Sequence, residues 1–318
     1  MPKALSEARI SRRLRFRDLQ VLFAVVQCGS MAKAAADLGV TQPAVSEVVA
    51  ELEDAFGVRL FDRNPQGVVP TIYGRALLKR AHAAFDELRQ GIRDIEFLAD
   101  PATGEVRIGC PDSIAGAILA PMMQKFCRDY PGISLTIDPV PTPTLELPQL
   151  HARKLDVVLA RLSRPHAEDP LGDDLNVEIL FDDEAVIAAG ANSRWARRRK
   201  IDVADLLDAS WVGTSRDTLT TIQMEAAFQA RDLPIPKMQV VTFSVQVRAH
   251  LLAGGHFVSA MPKSMLRLNP ECSGLKALPI KLPGTKFPVA IVTLKGRTLT
   301  AAVELFVESL RSYVKTVT

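Results

Sequence analysis

The stretch that most constrains the fold of this 318-residue chain is residues 29–53, GSMAKAAADLGVTQPAVSEVVAELE. Small apolar residues recur at helical spacing on both sides of Gly39, so two short helices can cross closely there. Gly39 permits the positive φ of a tight turn, Thr41 is a preferred helix N-cap, and Pro43 is tolerated in a first helical turn. The stretch therefore predicts a helix-turn-helix from about Met31 to about Ala50.

A further helix should precede this pair. Apolar residues fall at helical spacing between Asp18 and Gln27, and Gly29 ends the segment. Ser30 is placed to cap the second helix, which we expect over Met31–Leu38. The chain therefore opens with three consecutive helices.

The N-terminal part of the third helix has the side chains to meet DNA. Val45, Val48, Val49 and Leu52 share one face and should be buried, which leaves short polar groups on the other face. Such groups enter a major groove without clashing, and a glutamine can hydrogen-bond an adenine edge. Glu47 leaves two readings open, because its carboxylate either accepts a hydrogen bond from a cytosine amino group or lies along the protein surface. The DNA-facing candidates are Ser30, Lys33, Thr41, Gln42, Pro43, Ser46, Glu47 and Arg63.

A wing is expected after the third helix. Residues 57–63 and 68–71 read as two short extended runs on either side of the turn-rich residues 64–67. Arg63 stands at the edge of this hairpin, where it could contact a phosphate.

A long helix should follow over residues 75–99. Its apolar residues alternate at spacings of three and four, the pattern of a coiled-coil seam over roughly three heptads. The alternative is one apolar face of a helix packed on its own domain. We favour a dimerising helix, because a helix that bridges two domains has no domain of its own to pack on. The seam residues are Leu78, Ala81, Phe85, Leu88, Ile92, Ile95 and Ala99.

Residues 100–104 break that helix and open a second region in which strands alternate with helices. Strands are expected at residues 105–109, 133–140, 155–160, 184–189, 211–213, 239–243, 257–260 and 289–294. This alternation predicts a parallel α/β sheet in each of two similar lobes, with the chain returning to the first lobe at its end. A hinged cleft between the lobes follows from that arrangement.

A ligand site is expected in this cleft. In an open α/β lobe, ligands bind beyond the carboxyl ends of the strands, where helix N-termini favour anions. Four strand-to-helix turns carry polar side chains, although Ser, Thr and Asp are also ordinary N-caps. Arg161 could bind a carboxylate or a sugar hydroxyl, but a salt bridge between the lobes is its favoured role. The effector-binding candidates are Asp112, Ser113, Thr142, Thr144, Arg161, Thr214, Ser215 and Ser244.

Composition limits the function classes. The net charge of +3, from 39 basic and 36 acidic residues, is nearly balanced, but basic residues dominate before Asp18 and give that end a positive field. The four cysteines lie far apart and the five histidines are dispersed, so we expect no metal and no cofactor. No phosphate-binding loop, nucleophile constellation, secretory leader or apolar run of membrane length is visible. We therefore expect a cytoplasmic protein with reduced thiols that is not an enzyme.

Together these motifs resemble the LysR-type transcriptional regulators. The segments that match their N-terminal domain are residues 29–35, 41–46, 52–53, 57–63 and 71–74, in this order. Weaker matches follow in the second region, at Tyr130-Pro131, Leu155-Asp156, Trp211-Val212, Gly254-Gly255 and Met261-Pro262. Arg161-Leu162 and the Leu-Pro-Ile-Pro run at residues 233–236 are similar to the branch that contains the galactose-binding-protein regulators.

The resemblance implies a fold and a set of partners. The fold is an all-α winged helix-turn-helix and a long linker helix, followed by an α/β sensor domain like a periplasmic binding protein. The implied segments are a basic tail at 1–17, a DNA-binding domain at 18–74, a dimerising linker helix at 75–99 and an effector domain at 100–318. The first sub-lobe of the effector domain takes residues 103–181 and 267–318, and the second takes 182–266. The implied partners are double-stranded promoter or operator DNA, a small-molecule effector such as a sugar, sugar acid or aromatic carboxylate, RNA polymerase, and further copies of the chain in a dimer and a homotetramer.

Two features depart from the family pattern. Glu47 and Val48 follow Ser46 where the family commonly has positive charge, so phosphate attraction falls to Arg63, Lys33 and the basic tail. The extension at residues 1–17 is also longer than usual. The competing classes are a solute-binding protein, which would lack residues 18–74, and an enzyme-like sensor without DNA binding, which would need a nucleophile or metal constellation.

Overall fold

The structure is a computed structural model that describes residues 14–64, 67–100, 103–140, 147–163, 174–284 and 286–317, with the backbone alone described at 63 and 64. The chain divides into two compact units between Arg89 and Gln90. None of the described helices combines the length and the apolar character needed to span a bilayer.

The first unit contains the predicted helix-turn-helix and wing. Its elements are α1 (Phe16–Cys28), α2 (Met31–Leu38), α3 (Gln42–Phe56) and the antiparallel strands β1 (Phe61–Asn64) and β2 (Gly67–Pro70). Gly39 has φ of 65°, and the turn is closed by a 2.9 Å hydrogen bond from the nitrogen of Val40 to the carbonyl of Ala35. This confirms the tight turn expected at Gly39.

The wing joins the next helix, α4 (Ile72–Ala99), through a close backbone approach. The Thr71 hydroxyl donates to the carbonyl of Arg59 at 2.7 Å and accepts from the nitrogen of Gly74 at 3.1 Å, so it caps the start of α4. A Cβ at Gly74 would lie 2.1 Å from the Leu60 carbonyl oxygen, so only glycine fits there. The helix begins three residues before the predicted boundary at Arg75.

The N-terminal half of α4 packs on its own unit, which corrects part of the predicted seam. Leu78 and Ala81 are buried in the core formed with α1. The Phe85 ring lies 5.1 Å from the ring of Phe16 and 5.5 Å from that of Phe23. These three positions therefore pack inside their own unit, as in the alternative to a dimer seam, because the first half of α4 lies along α1.

In the second unit, a first sheet has the strand order β4-β3-β5-β12-β6. Its strands are β3 (Thr103–Cys110), β4 (Gly132–Pro139), β5 (Val157–Arg161), β6 (Leu175–Asp183) and β12 (Phe287–Leu294). β3 runs parallel to β4 and β5, but β12 runs antiparallel to β5 and β6. The prediction of a wholly parallel sheet is therefore wrong, because the strands that carry the chain to the second lobe and back pair with each other.

The second sheet has the order β11-β7-β10-β8-β9. Its strands are β7 (Ala185–Gly190), β8 (Ser210–Gly213), β9 (Met238–Val241), β10 (Phe257–Pro262) and β11 (Leu275–Ala277). β8 is parallel to β9 and β10, whereas β7 is antiparallel to β10 and β11. Because β11 belongs to this sheet, the predicted return to the first sub-lobe at residue 267 is too early.

Helices cover both faces of the first sheet. Val157 and Leu159 of β5 point into a core that includes Phe126 and Phe306, and Val158 and Ala160 point into a second core on the opposite face. The helices of the second unit are α5 (Asp112–Ile114), α6 (Ala120–Asp129), α7 (Pro148–His151), α8 (Leu219–Gln229), α9 (Val245–Ala253), α10 (Lys263–Leu268) and α11 (Ala301–Val317), with a π-helical turn, Ala115–Leu119, between α5 and α6.

Candidate functional site

The exposed face of α3 carries the first group of candidate residues. Val45 and Val49 are each 1% exposed and fix the helix on the core of its unit. Gln42, Pro43 and Glu47 lie on the opposite, exposed face. The Thr41 hydroxyl accepts a 3.4 Å hydrogen bond from the nitrogen of Ala44, as expected of an N-cap. The polar face predicted from the sequence is therefore present.

Two serines differ from expectation. The Ser46 hydroxyl lies 3.4 Å from the Met31 sulfur, because position 46 lies at the border of the buried face and is half-buried. Its hydroxyl is therefore engaged with α2. Ser30 occupies the N-cap position of α2, but its side chain makes no capping hydrogen bond within the described residues. The predicted N-cap position is confirmed, but the Ser30 carbonyl makes the bond, by accepting from the nitrogen of Ala34 at 2.9 Å.

The structure describes some of the basic residues that are candidates for phosphate contacts. Lys33 is exposed on α2, and Arg15 and Arg17 are exposed at the start of α1. The backbone of Arg63 pairs with Val68 in the wing, but the structure does not describe the Arg63 side chain.

In the second unit, Asp112 links the two lobes. It follows β3 at the carboxyl end of that strand, and its Oδ2 accepts a 2.8 Å hydrogen bond from the nitrogen of Val245, the first residue of α9. The Ser244 hydroxyl accepts from the nitrogen of Val247 at 3.3 Å, so Ser244 is the N-cap of the same helix. Two backbone N–H groups in the first turn of α9, which have no partner within the helix, thus have hydrogen-bond acceptors, and one of these acceptors belongs to the opposite lobe.

Arg161 makes an ion pair with Asp183 of its own sheet, so the predicted salt bridge between the lobes is wrong. Its Nε lies 3.3 Å from Asp183 Oδ2, its Nη1 donates to the Ser113 hydroxyl at 2.7 Å, and its Nη2 lies 3.3 Å from the hydroxyl of Ser264 on α10. Asp183 also accepts from the nitrogen of Ser264 at 3.0 Å. Burial lowers the pKa of Arg161, although the charge of Asp183 opposes this shift. The network connects the end of β6 with the second lobe.

Thr214 and Ser215 follow β8 at the same edge. The nitrogen of Thr242 donates to the Gly213 carbonyl at 2.9 Å, which brings the β8 end beside the loop that leads to Ser244. The Thr214 hydroxyl lies 2.6 Å from that of Thr218, and the Ser215 hydroxyl donates to Asp217. Both hydroxyls therefore have bonds to the segment that starts α8.

The structure brings most of the effector-binding candidates together. A continuous row of hydrogen-bonded neighbours leads from Arg161 through Ser113 and Asp112 to the start of α9, and then through Thr242 to the β8 end. Thr142 and Thr144 fall outside the described residues. The carboxyl ends of the parallel strands thus supply one polar site between the lobes.

The sequence prediction missed three residues beside this site: Asp183, Ser264 and Arg248. Arg248 is 2% exposed on α9 and shares its buried face with Val245, Ala249 and Leu252. The sequence signal for Arg248 was a charged residue three positions after Val245, on the apolar face of a predicted helix. Asp183 could not be placed from the sequence because its strand, β6, was not predicted.

Two family descriptions match the chain. "Bacterial regulatory helix-turn-helix protein, lysR family" covers residues 16–75, and "LysR substrate binding domain" covers residues 99–315. GbpR of Azospirillum brasilense is 24% identical over 95% of this chain and 87% of its own length, in agreement with the expected branch. TdcA of Escherichia coli K12 is 30% identical over 78% of this chain and 77% of its own.

Solved structures share the fold. Full-length CbnR in complex with its target DNA is 19% identical and covers 94% of this chain and 100% of its own, with a TM-score of 0.60. A full-length OxyR variant from Pseudomonas aeruginosa is 21% identical over 95% of each chain, with a TM-score of 0.61. The chain therefore belongs to the LysR family of DNA-binding transcriptional regulators, which sense a small-molecule effector through a substrate-binding domain.

Proposed function

We propose that the effector binds between the two lobes, against Asp112, Ser113, Arg161, Thr214, Ser215 and Ser244. Thr142 and Thr144 remain candidates from the sequence alone. The hydrogen bond from Val245 to Asp112 carries this proposal. A carboxylate of one lobe occupies the helix N-terminus of the other, which is a position suited to an anion. An effector that competes for it changes the link between the lobes, and this change alters the binding of promoter or operator DNA.

The DNA contacts follow from the exposed face of α3. Gln42, Pro43 and Glu47 enter the major groove beside Thr41, with Ser30 and Ser46 at the border of the contact. Lys33, Arg63 and the basic residues before Asp18 contact phosphates. Such contacts position a protein on DNA without reading its sequence.

The C-terminal half of α4 pairs two copies of the chain. Leu88, Ile92 and Ile95 are 49%, 57% and 68% exposed, and they recur at spacings of four and three. An apolar row of this spacing is covered by an identical helix in a coiled coil. On this proposal residues 18–74 bind DNA, residues 75–99 link and dimerise, and residues 100–318 sense the effector. Two such dimers form a homotetramer that acts on RNA polymerase in the cytoplasm and has no enzymatic activity.

The test is the binding of full-length protein to a labelled DNA fragment from upstream of its own gene. Fluorescence anisotropy over a range of salt concentrations should show a steep loss of affinity, because phosphate contacts release counterions. Sugars, sugar acids and aromatic carboxylates are then added one class at a time. We expect one class to change the DNA affinity of the wild type, and Ser113→Ala to weaken that response without changing DNA affinity in the absence of effector. A response that survives in Ser113→Ala and in Asp112→Ala contradicts the interlobe site.

A further inference from the structure

Arg248 is a buried guanidinium with unused hydrogen-bond donors. Its side chain is on the inner face of α9, and the residue is 2% exposed. Its Nη2 lies 3.8 Å from the sulfur of Met265, a weak acceptor. Within the described residues, Nε and Nη1 of Arg248 have no hydrogen-bond partner.

Among the residues that the structure describes, no carboxylate hydrogen-bonds to Arg248. Burial lowers the pKa of Arg248 to about 10, so the side chain remains charged at neutral pH. Burial also raises the pKa of the neighbouring Cys272, so this thiol stays neutral. The charge of Asp112 raises the pKa of Arg248, but the Asp112 carboxylate bonds to the nitrogen of Val245, and the Arg161 guanidinium is paired with Asp183. A buried guanidinium without an ion-pair partner is destabilising, so an anion would bind favourably beside it.

The position of Arg248 joins it to the interlobe site. Two consecutive residues of α10 contact the two arginines, since the Ser264 hydroxyl meets Arg161 and the Met265 sulfur meets Arg248. Arg248 lies one helical turn after Val245, whose nitrogen bonds to Asp112. The unpaired donors therefore belong to a residue one helical turn from the helix N-terminus that Asp112 occupies.

We infer that Arg248 is the anion-binding residue of the effector site and that the effector carries a carboxylate. This inference rests on the proposed function, because it assigns the ligand class of the same interlobe site. The carboxylate reaches Arg248 when the lobes separate at the contact between Asp112 and Val245, and it accepts hydrogen bonds from Nε or Nη1. Neutral sugars lack the charge that this site requires.

Thermal shift of the full-length protein at constant ionic strength tests the inference. The probes are matched pairs of acetate with acetamide, benzoate with benzamide, and galactonate with galactose, so that the arms separate sugar acids from aromatic acids. At least one carboxylate should raise the Tm of the wild type more than its neutral partner does. Acetate is small enough to enter whatever the shape of the remaining site, so the absence of any carboxylate preference overturns the inference.

Variants locate the effect. Arg248→Met should lose at least tenfold in affinity for the active carboxylate, while its Tm without ligand is equal to or above that of the wild type, because it removes an unpaired buried charge. Arg199→Met makes the same change at an exposed position of the same lobe and should keep wild-type affinity. If Arg248→Met does not fold, Arg248→Lys decides the question. Weaker carboxylate binding in the Lys variant supports the inference, and unchanged binding overturns it.

The anisotropy assay separates this inference from the proposed function. A carboxylate that binds through Arg248 without changing DNA affinity removes the regulatory role and leaves the anion site in place. A neutral sugar that changes DNA affinity through Ser113 keeps the proposed function and overturns the inference.

Discussion

The carboxylate of Asp112 accepts a 2.8 Å hydrogen bond from the backbone nitrogen of Val245, 133 positions later in the chain and in the other lobe. One short link thus joins the carboxyl end of β3 to the N-terminus of α9. Since Ser244 already caps this helix, Asp112 supplies a second acceptor to its first turn.

Replacing Asp112 by Ala should lower the free energy of unfolding of the second unit by about 0.5–2 kcal/mol, the usual cost of a lost N-cap acceptor. Scanning calorimetry of the full-length protein measures this change as a lower Tm. Asp129→Ala removes an exposed carboxylate at the end of α6 and should leave the Tm unchanged. Equal Tm values for wild type and Asp112→Ala would show that the link does not stabilise the unit.

A second carboxylate, Asp156, should make the stability of the unit decrease in acid. Its Oδ1 lies 2.7 Å from Arg107 Nη2 and 2.9 Å from Arg297 Nη2. Burial alone would raise the pKa of Asp156, but the hydrogen bonds and charge of Arg107, with the charge of Arg297, outweigh it and lower the pKa. A lowered pKa in the folded state means that the stabilisation is complete above an unfolded pKa of about 4 and is lost as the pH falls through the folded value.

Asp156→Asn should therefore destabilise the protein at pH 7 by about 3–5 kcal/mol, because it leaves buried arginine charge without its partner. Urea unfolding at pH 7 measures this loss. Repeating the measurement between pH 5 and pH 3 should show a shallower acid decline than in the wild type. If the variant keeps the wild-type pH dependence, another group is responsible for the acid sensitivity.

The thiols should differ in reactivity. Burial, assisted by the charge of Asp112, raises the pKa of Cys110 to about 12, whereas Cys127 is exposed on α6. The thiolate is the reacting species, so N-ethylmaleimide at pH 8 should modify Cys127 quickly and Cys110 only after denaturation. Mass spectrometry of peptides reads the modified positions. Labelling of Cys110 in the native protein at the rate of Cys127 would contradict the burial of β3.

The elements with a clear local period could be predicted from the sequence. The helices of the first unit, the wing and most strands of the second unit follow from apolar spacing and from turn residues. β11 has three residues and is too short to show a period, and β6 places Ile179 at 53% exposure, so its alternation is weak. Strand direction was not predictable, because β12 pairs with β6 only after the whole second lobe has intervened.

The candidate site was predictable where a residue directly follows a strand. Asp112 and Thr214 come just after β3 and β8 and were singled out in this way, whereas Arg161 is the last residue of β5. Asp183 and Ser264 were missed because they contact each other between the lobes, a contact that local spacing does not show. Arg248 was missed although its place in an apolar helical stripe was a local signal. The same limit explains the seam, since the spacing of Leu78 and Leu88 is equally regular although one is 8% exposed and the other 49% exposed.

Base reading should depend on Gln42. Gln42→Ala is expected to relax the preference for one base in each half-site by about 1–3 kcal/mol, because the amide can pair with an adenine edge. Lys33→Ala is the matched control, since loss of a phosphate contact weakens all sequences equally and lowers the salt slope by about 1. Selection from a randomised site, followed by anisotropy at several salt concentrations, measures both effects. Unchanged base preference in Gln42→Ala would show that Gln42 does not contact a base in the major groove.

Assembly should depend on the exposed half of α4. Leu88→Asp places a charge where the proposed partner helix would bury it, so the dimer should dissociate at a cost of several kcal/mol. The monomer should stay folded, because Leu88 is 49% exposed within one chain. Sedimentation should show that the mass of the assembly decreases to that of a monomer. Anisotropy with a two-half-site fragment should show that tight DNA binding is lost. Leu98 is 79% exposed and lies roughly 80° from Leu88 around the helix axis. Leu98→Asp should therefore change neither the mass of the assembly nor its DNA affinity. A Leu88→Asp protein that keeps its mass and its affinity shows that copies associate through another surface.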